Sequence, residues 1–219
     1  NILVFSLTVI FVESTSNNVL VDNTASSNEF NGIRLQSSSN DSLIINEVSY
    51  NGFGISLISS NNSELSNNTA NSNNNYEISL FKACKNRLIN NTTSNKNSGI
   101  CLCLSNNNEL GNNTANSNSF HGIFLWRSSD NLLSNNTANS NELYGIHLWE
   151  FSNNNRLTGN TASGNNDGIR LSWDSNNNDL GKNIANSNKK YGIHLEDSTG
   201  NTLNNNFLSG NYKGIRVTD

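Results

Sequence analysis

The 219-residue sequence has no proline, no methionine and only three cysteines. Hydrophobic residues make up 33% of it, too few for a globule with one thick core. Positive charge is also scarce. The formal net charge is −4 and the isoelectric point is near 5.3. With no basic patch or stripe, nucleic acid is excluded as a partner. Cys84, Cys101 and Cys103 do not make a disulfide framework. Cys101 and Cys103 lie two apart on one strand and point the same way. That spacing is awkward for a disulfide, which needs Cβ atoms about 3.5–4.5 Å apart. The one long apolar run, Ile2 to Val12, is shorter than the roughly 20 residues that span a bilayer, so no membrane insertion is expected of this segment. The sequence also lacks an initiator methionine. It reads as a fragment of a larger protein, with other domains expected on the same chain.

What the sequence has instead is asparagine, about a quarter of all residues, and much serine. Such a composition suits low-complexity disorder, but a period overrides that reading. One coil reads N-x-L-x-x-N-x-A-x-x-N, then a short turn, then G-I-x-L-x-x-S. A leucine column runs through Leu20, Leu43, Leu65, Leu88, Leu110, Leu133, Leu157, Leu180 and Leu203. An isoleucine column runs through Ile33, Ile55, Ile78, Ile100, Ile123, Ile146, Ile169, Ile193 and Ile215, with Leu (finally Val217) two residues on. I-x-L is strand spacing, with both apolar residues on one face. Gly precedes Ile in every coil but one, where Glu77 stands, and suits positive φ or close backbone approach.

Two polar columns accompany these. Asn23, Asn46, Asn68, Asn91, Asn113, Asn136, Asn160, Asn183 and Asn206 form the first without exception. Asn28, Asn51, Asn73, Lys96, Asn118, Asn141, Asn165, Asn188 and Asn211 form the second. An amide both donates and accepts, so identical residues stacked one strand apart can bond up and down the column. A small residue, usually Ala, lies between the columns, so the core there is narrow. The apolar start fits the same phase, with Asn1 and Ser6 at ladder positions, Leu3 at the Ala position and Ile10 and Val12 as the I-x-L pair. Residues 1–17 are read as a partial first coil, with a signal-peptide remnant as the alternative.

The expected fold is all-β: a single-stranded right-handed parallel β-helix of about nine full coils of 22–24 residues plus that partial coil, one repeat domain over residues 1–219. A leucine-rich repeat has a similar period. It fits less well, because its asparagine position is mostly Ser here (Ser38, Ser60, Ser105, Ser128, Ser198). A coil orders its backbone at about 1–2 kcal/mol per residue and buries few large side chains, so only stacking makes it stable.

The runs Asn67–Asn73, Asn112–Asn118 and Asn135–Asn141, with the Gly-Ile columns, resemble NosD-type parallel β-helix repeats of the carbohydrate-binding and sugar-hydrolase (CASH) class, most of all arrays in archaeal cell-surface proteins. The resemblance covers essentially the whole chain. It implies an exported, sugar-interacting or structural module at the cell surface, with a periplasmic setting as the alternative. It also carries NosD's association with copper-site maturation as a rival function.

Function on such a rod lives in the outward columns. The residues between Ile and Leu, among them Arg34, Ser56, Cys101, Phe124, His147, Arg170, His194 and Arg216, are expected to face solvent. So are those after Leu, which place Phe81, Trp126 and Trp149 in one column. Phe81, Phe124, Trp126, Trp149 and Trp173 form a candidate stacking platform for sugar rings, with Arg127, His147, Glu150, Arg170 and Asp174 to bond hydroxyls. The structural alternative is that the aromatics only stabilise the sheet. A polysaccharide hydrolase or lyase is the rival class, through the carboxylates Glu150, Asp174, Glu196 and Asp197 beside His147, His194, Arg170 and Arg216. No catalytic residue, metal site or cofactor is assigned. His147 and His194 stand two coils apart, about 9–10 Å by strand spacing. Asn40, Asn61, Asn67, Asn90, Asn91, Asn112 and Asn135 open glycosylation sequons.

Overall fold

A computed structural model describes residues 8–219. The readings of Asn1, Leu3 and Ser6 fall outside those residues. Over the described residues the chain winds as a parallel β-helix with three sheets. The largest has ten strands, from Thr8–Glu13 through Asn31–Gln36 to Lys213–Thr218, and holds the G-I-x-L segments. A nine-stranded sheet holds the leucine column and a five-stranded sheet the Ala column. The third sheet continues past residue 116 only as single bridges, such as Thr137↔Thr161.

Register follows the sequence columns. Ile10 pairs with Ile33 and Val12 with Leu35. Farther along, Ile123 pairs with Ile146 and Leu125 with Leu148. Almost every Ile, Leu and Ala of the three inward columns between coils is fully buried, giving one continuous core. Each coil turns through four corners held at positive φ, for example Asn135 (54°), Ser140 (57°), Glu150 (50°) and Asn154 (55°). Asn, Ser, Asp and Gly occupy most of these corners, because short polar side chains or none tolerate the left-handed region best. This demand explains much of the composition.

The asparagine ladder is continuous. Asn113 donates its backbone N–H and its Nδ2 to Oδ1 of Asn136, both at 2.9 Å, and Nδ2 also reaches the Leu88 carbonyl at 2.8 Å. Each buried amide is thereby paired on both sides. Two further ladders exist that the sequence reading did not follow. One joins Asn86, Asn108, Asn131, Asn155 and Asn178. The other stacks the serine hydroxyls of Ser105, Ser128 and Ser152 against backbone N–H groups.

The second column breaks at Lys96, whose side chain turns out to Asn74. Glu77, at the position Gly takes elsewhere, fills the gap: its buried carboxyl accepts from the Asn73 N–H and Nδ2. On the other side of the break, Asn118 Oδ1 has no partner. The Gly column itself adopts no positive φ. Its purpose is close approach: a Cβ on Gly122 would lie 2.8 Å from Ala138 Cβ, and one on Gly168 2.7 Å from Ala185 Cβ. These glycines point inward, beside an inward Ile. Alternation therefore slips by one residue at each Gly, and the residue before it points out.

Candidate functional site

That slip builds the outer face of the ten-stranded sheet. His121, Tyr144, Asp167 and Tyr191, each just before a Gly, turn outward and join the columns containing His147, Arg170 and His194. Period-two counting from Ile assigns them to the core, which is why the sequence reading missed them. The visible signal was the repeated string Y-G-I-H-L at 144–148 and 191–195, each followed one coil later by G-I-R.

The two strings make two similar clusters. The Tyr144 and His147 rings lie 4.8 Å apart, and those of Tyr191 and His194 4.7 Å. The Arg170 guanidinium lies 4.9 Å from the Tyr144 centroid, and Arg216 5.0 Å from that of Tyr191. Each arginine also donates to its tyrosine hydroxyl. Arg170 bonds Glu196 and stands 3.5 Å from Asp167. His194 Nδ1 is 3.2 Å from the same Asp167 carboxylate, and His147 Nε2 is 3.0 Å from Ser172 Oγ. His121 stacks on Tyr144 at 5.2 Å and meets His147 edge-on at 5.0 Å.

Exposure corrects the sequence expectation. Ser56, Cys101, His147 and His194 point away from the coil axis yet are buried, with exposures of 3%, 0%, 7% and 5%. The larger outward columns on either side close over them. Burial, then the neighbouring His121 and Arg170, pushes the His147 imidazole well below its usual range, and burial with Arg170 brings His121 down to about 4. Both rings are neutral at pH 7. Burial raises the Tyr144 hydroxyl. His121 Nδ1, His147 Nδ1, Asp167 Oδ1 and His194 Nε2 are buried without a hydrogen-bond partner. Buried polar atoms are normally paired, so four such atoms within residues 121–194 mark out that part of the face.

Three of the five aromatic side chains singled out in the sequence meet on this face. Trp126 and Trp149 stack at 6.3 Å, and Phe124 meets Trp149 at 6.0 Å. Glu150 accepts from Trp126 Nε1 at 2.7 Å and from Arg127, and these bonds hold its carboxyl below the usual range. Phe81 shares the column, but Cys103 separates it from Trp126. It belongs instead to an apolar cavity of about 340 Å³ with Phe30, Phe53, Ile58, Tyr76 and Cys103. Trp173 and Asp174 leave the face at a left-handed corner where the coil carries an extra residue, and both are exposed. Of the four carboxylates weighed for hydrolysis, Glu150 and Glu196 are ion-paired and Asp174 and Asp197 sit on exposed corners; the buried carboxylate of the face is Asp167. Among the sequons, Asn91 is fully buried in the ladder, out of reach of modification.

Residues 6–138 and 81–219 match the model of the right-handed beta helix region. The chain belongs to the right-handed β-helix family. No curated protein matches it in sequence. Among solved structures, the A-module of Azotobacter vinelandii mannuronan C-5 epimerase AlgE6 is similar at 16% identity and TM-score 0.79, over 97% of this chain and 75% of that one. A mutant of the periplasmic alginate epimerase AlgG is similar at 22% identity and TM-score 0.69, over 83% of this chain and 50% of that one. The enzymatically active domain of bacteriophage CBA120 tailspike protein 2 is similar at 12% identity and TM-score 0.77, over 95% of this chain and 42% of that one. This β-helix thus spans half or less of two of those three chains. At these identities the likeness is one of fold.

Proposed function

We propose that the outer face over residues 121–216 binds a polysaccharide, as an exported or cell-surface module with the periplasm as the alternative setting. The stacked rings of Phe124, Trp126 and Trp149, partly exposed beside Arg127, Glu150 and Arg170, carry this reading. Sugar rings offer apolar faces for Phe124, Trp126 and Trp149 and hydroxyls for Arg127, Glu150 and Arg170, the last steadied by the buried Asp167 beneath it. Arg127 and Glu150 form one rim, with Trp173 and Asp174 beyond it. The similar proteins named as alginate and mannuronan epimerases support a glycan ligand. The kinship with NosD-type surface arrays belongs to the same proposal. Trp126→Ala with Trp149→Ala should abolish glycan-array binding; a doubly substituted protein that binds like the parent leaves those rings a role in the sheet alone.

Catalysis is the second reading, favoured by one observation. A neutral His147 with a free ring nitrogen packs against the Tyr144 ring, whose hydroxyl bonds the neighbouring Arg170, so the face assembles groups that can accept a proton, donate one and steady a carboxylate. Incubating the protein with acidic and neutral polysaccharides in deuterated water tests it. New reducing ends, unsaturated uronates or deuterium on sugar carbon establish an enzyme; unaltered polymer leaves a binding module.

A further inference from the structure

Outside the polar face, Cys101 and Cys103 form the most unusual contact on the rod. They share strand Ser98–Cys103, and their sulfurs converge to 2.7 Å. That is longer than the roughly 2.05 Å of a disulfide bond and closer than unbonded sulfurs ordinarily approach. Both cysteines are free thiols, and their side chains lean toward each other on the outward surface. Cys101 is fully buried, with the Tyr76 hydroxyl bonded to it. Cys103 is half-exposed on the wall of the apolar cavity. Cys84 is a free thiol elsewhere, accepting from the Asn106 N–H.

We propose that Cys101 and Cys103 are a reversible dithiol–disulfide couple that reacts with small-molecule disulfides at the cavity mouth. The Cys103 thiolate attacks one sulfur of the incoming disulfide, forming a mixed disulfide and releasing one thiolate. Cys101, a contact away, then attacks the Cys103 sulfur and gives its proton to the second thiolate as that thiolate is expelled. Two protein thiols are oxidised and one small disulfide is reduced to two thiols. The division of labour follows from position: the accessible sulfur attacks and the enclosed one resolves. Hydrogen bonding from Cys101 lowers the Cys103 thiol, while burial raises Cys101.

Oxidised glutathione is the probe. In the Cys84→Ser protein, the thiol count should fall from two to none, with a mass loss of two hydrogen atoms and no glutathione attached, and dithiothreitol should restore both thiols. Cys101→Ser should trap glutathione on Cys103, and Cys103→Ser should leave Cys101 unreactive while the protein stays folded. A glutathione adduct that persists on Cys103 with Cys101 intact overturns the proposal. So does a folded protein whose thiols stay reduced under excess oxidised glutathione.

Discussion

The outer face of the ten-stranded sheet has two unlike halves on one backbone. Over residues 30–103 it is apolar and sulfur-bearing, with Phe30, Phe53, Ile58, Tyr76 and Phe81 around a cavity. Over residues 121–216 it is a packed array of His, Tyr, Arg and Asp, with four buried polar atoms unpaired against one, Arg34 Nε, in the other half. The inward columns hardly change between them: Ile55 and Ile193 are equally buried, as are Leu57 and Leu148. Stacking constrains the inside, because each inward residue must match the coils on both sides. The outside answers to no such rule, and there the halves diverge.

Glycan binding divides the halves most sharply. Arg170→Ala should reduce polysaccharide binding at least tenfold, while Phe53→Ala in the apolar half leaves it within twofold, measured by glycan array and calorimetry. Equal losses from both would erase the distinction.

Next in size is the repaired ladder, peculiar to the apolar half. Glu77→Gly leaves the buried Asn73 N–H and one of the two Nδ2 hydrogens without an acceptor, the other staying on the Val48 carbonyl, a loss of about 3 kcal/mol in urea unfolding. Adding Lys96→Asn should return most of it, since an amide at 96 serves both Asn73 and the unpaired Asn118 Oδ1. If the double variant is no more stable than Glu77→Gly, Glu77 does not replace the missing ladder member.

The halves should also respond oppositely to pH. Burial raises Glu77 to about 8 from 4.5, so the folded state holds a proton that the unfolded chain has released. Its contribution is complete below pH 4.5 and is lost as pH rises through 8, at no more than about 1.4 kcal/mol per unit. His121 is lowered to about 4 from 6.5, so its contribution is complete above pH 6.5 and lost as pH falls through 4. Glu77→Gln should flatten the alkaline arm of the urea midpoint, and His121→Phe the acid arm. An unchanged profile in either variant removes that residue from the account.

The smallest effect concerns the aromatic column. Trp149→Ala should cost about 0.2–1 kcal/mol of stability by losing its stacked neighbours. A far larger loss would recast the tryptophans as structural rather than ligand-facing.

Much of this was legible beforehand. Ile33 over Ile55, Leu110 over Leu133 and Asn113 over Asn136 are neighbours because their positions repeat, and repetition is visible in a string. Trp126 over Trp149 followed from the same count. Tyr144, Asp167 and Tyr191 did not, because the inward Gly shifts the alternation that counting assumes constant. Glu77 was visible as an exception, but its partner Asn73 was not.

The sequence by itself determined the rod, its register and its inward ladders, since identical residues at a steady period have only one way to bury their amides and alkyl groups together. Only the tertiary structure decided what meets on the outside. There, side chains from different coils lean sideways over one another, so a histidine meant for solvent becomes buried beside Ser172, and two sulfurs two residues apart come into contact. Lateral packing depends on side-chain size and direction at every neighbouring position, and no single column records it.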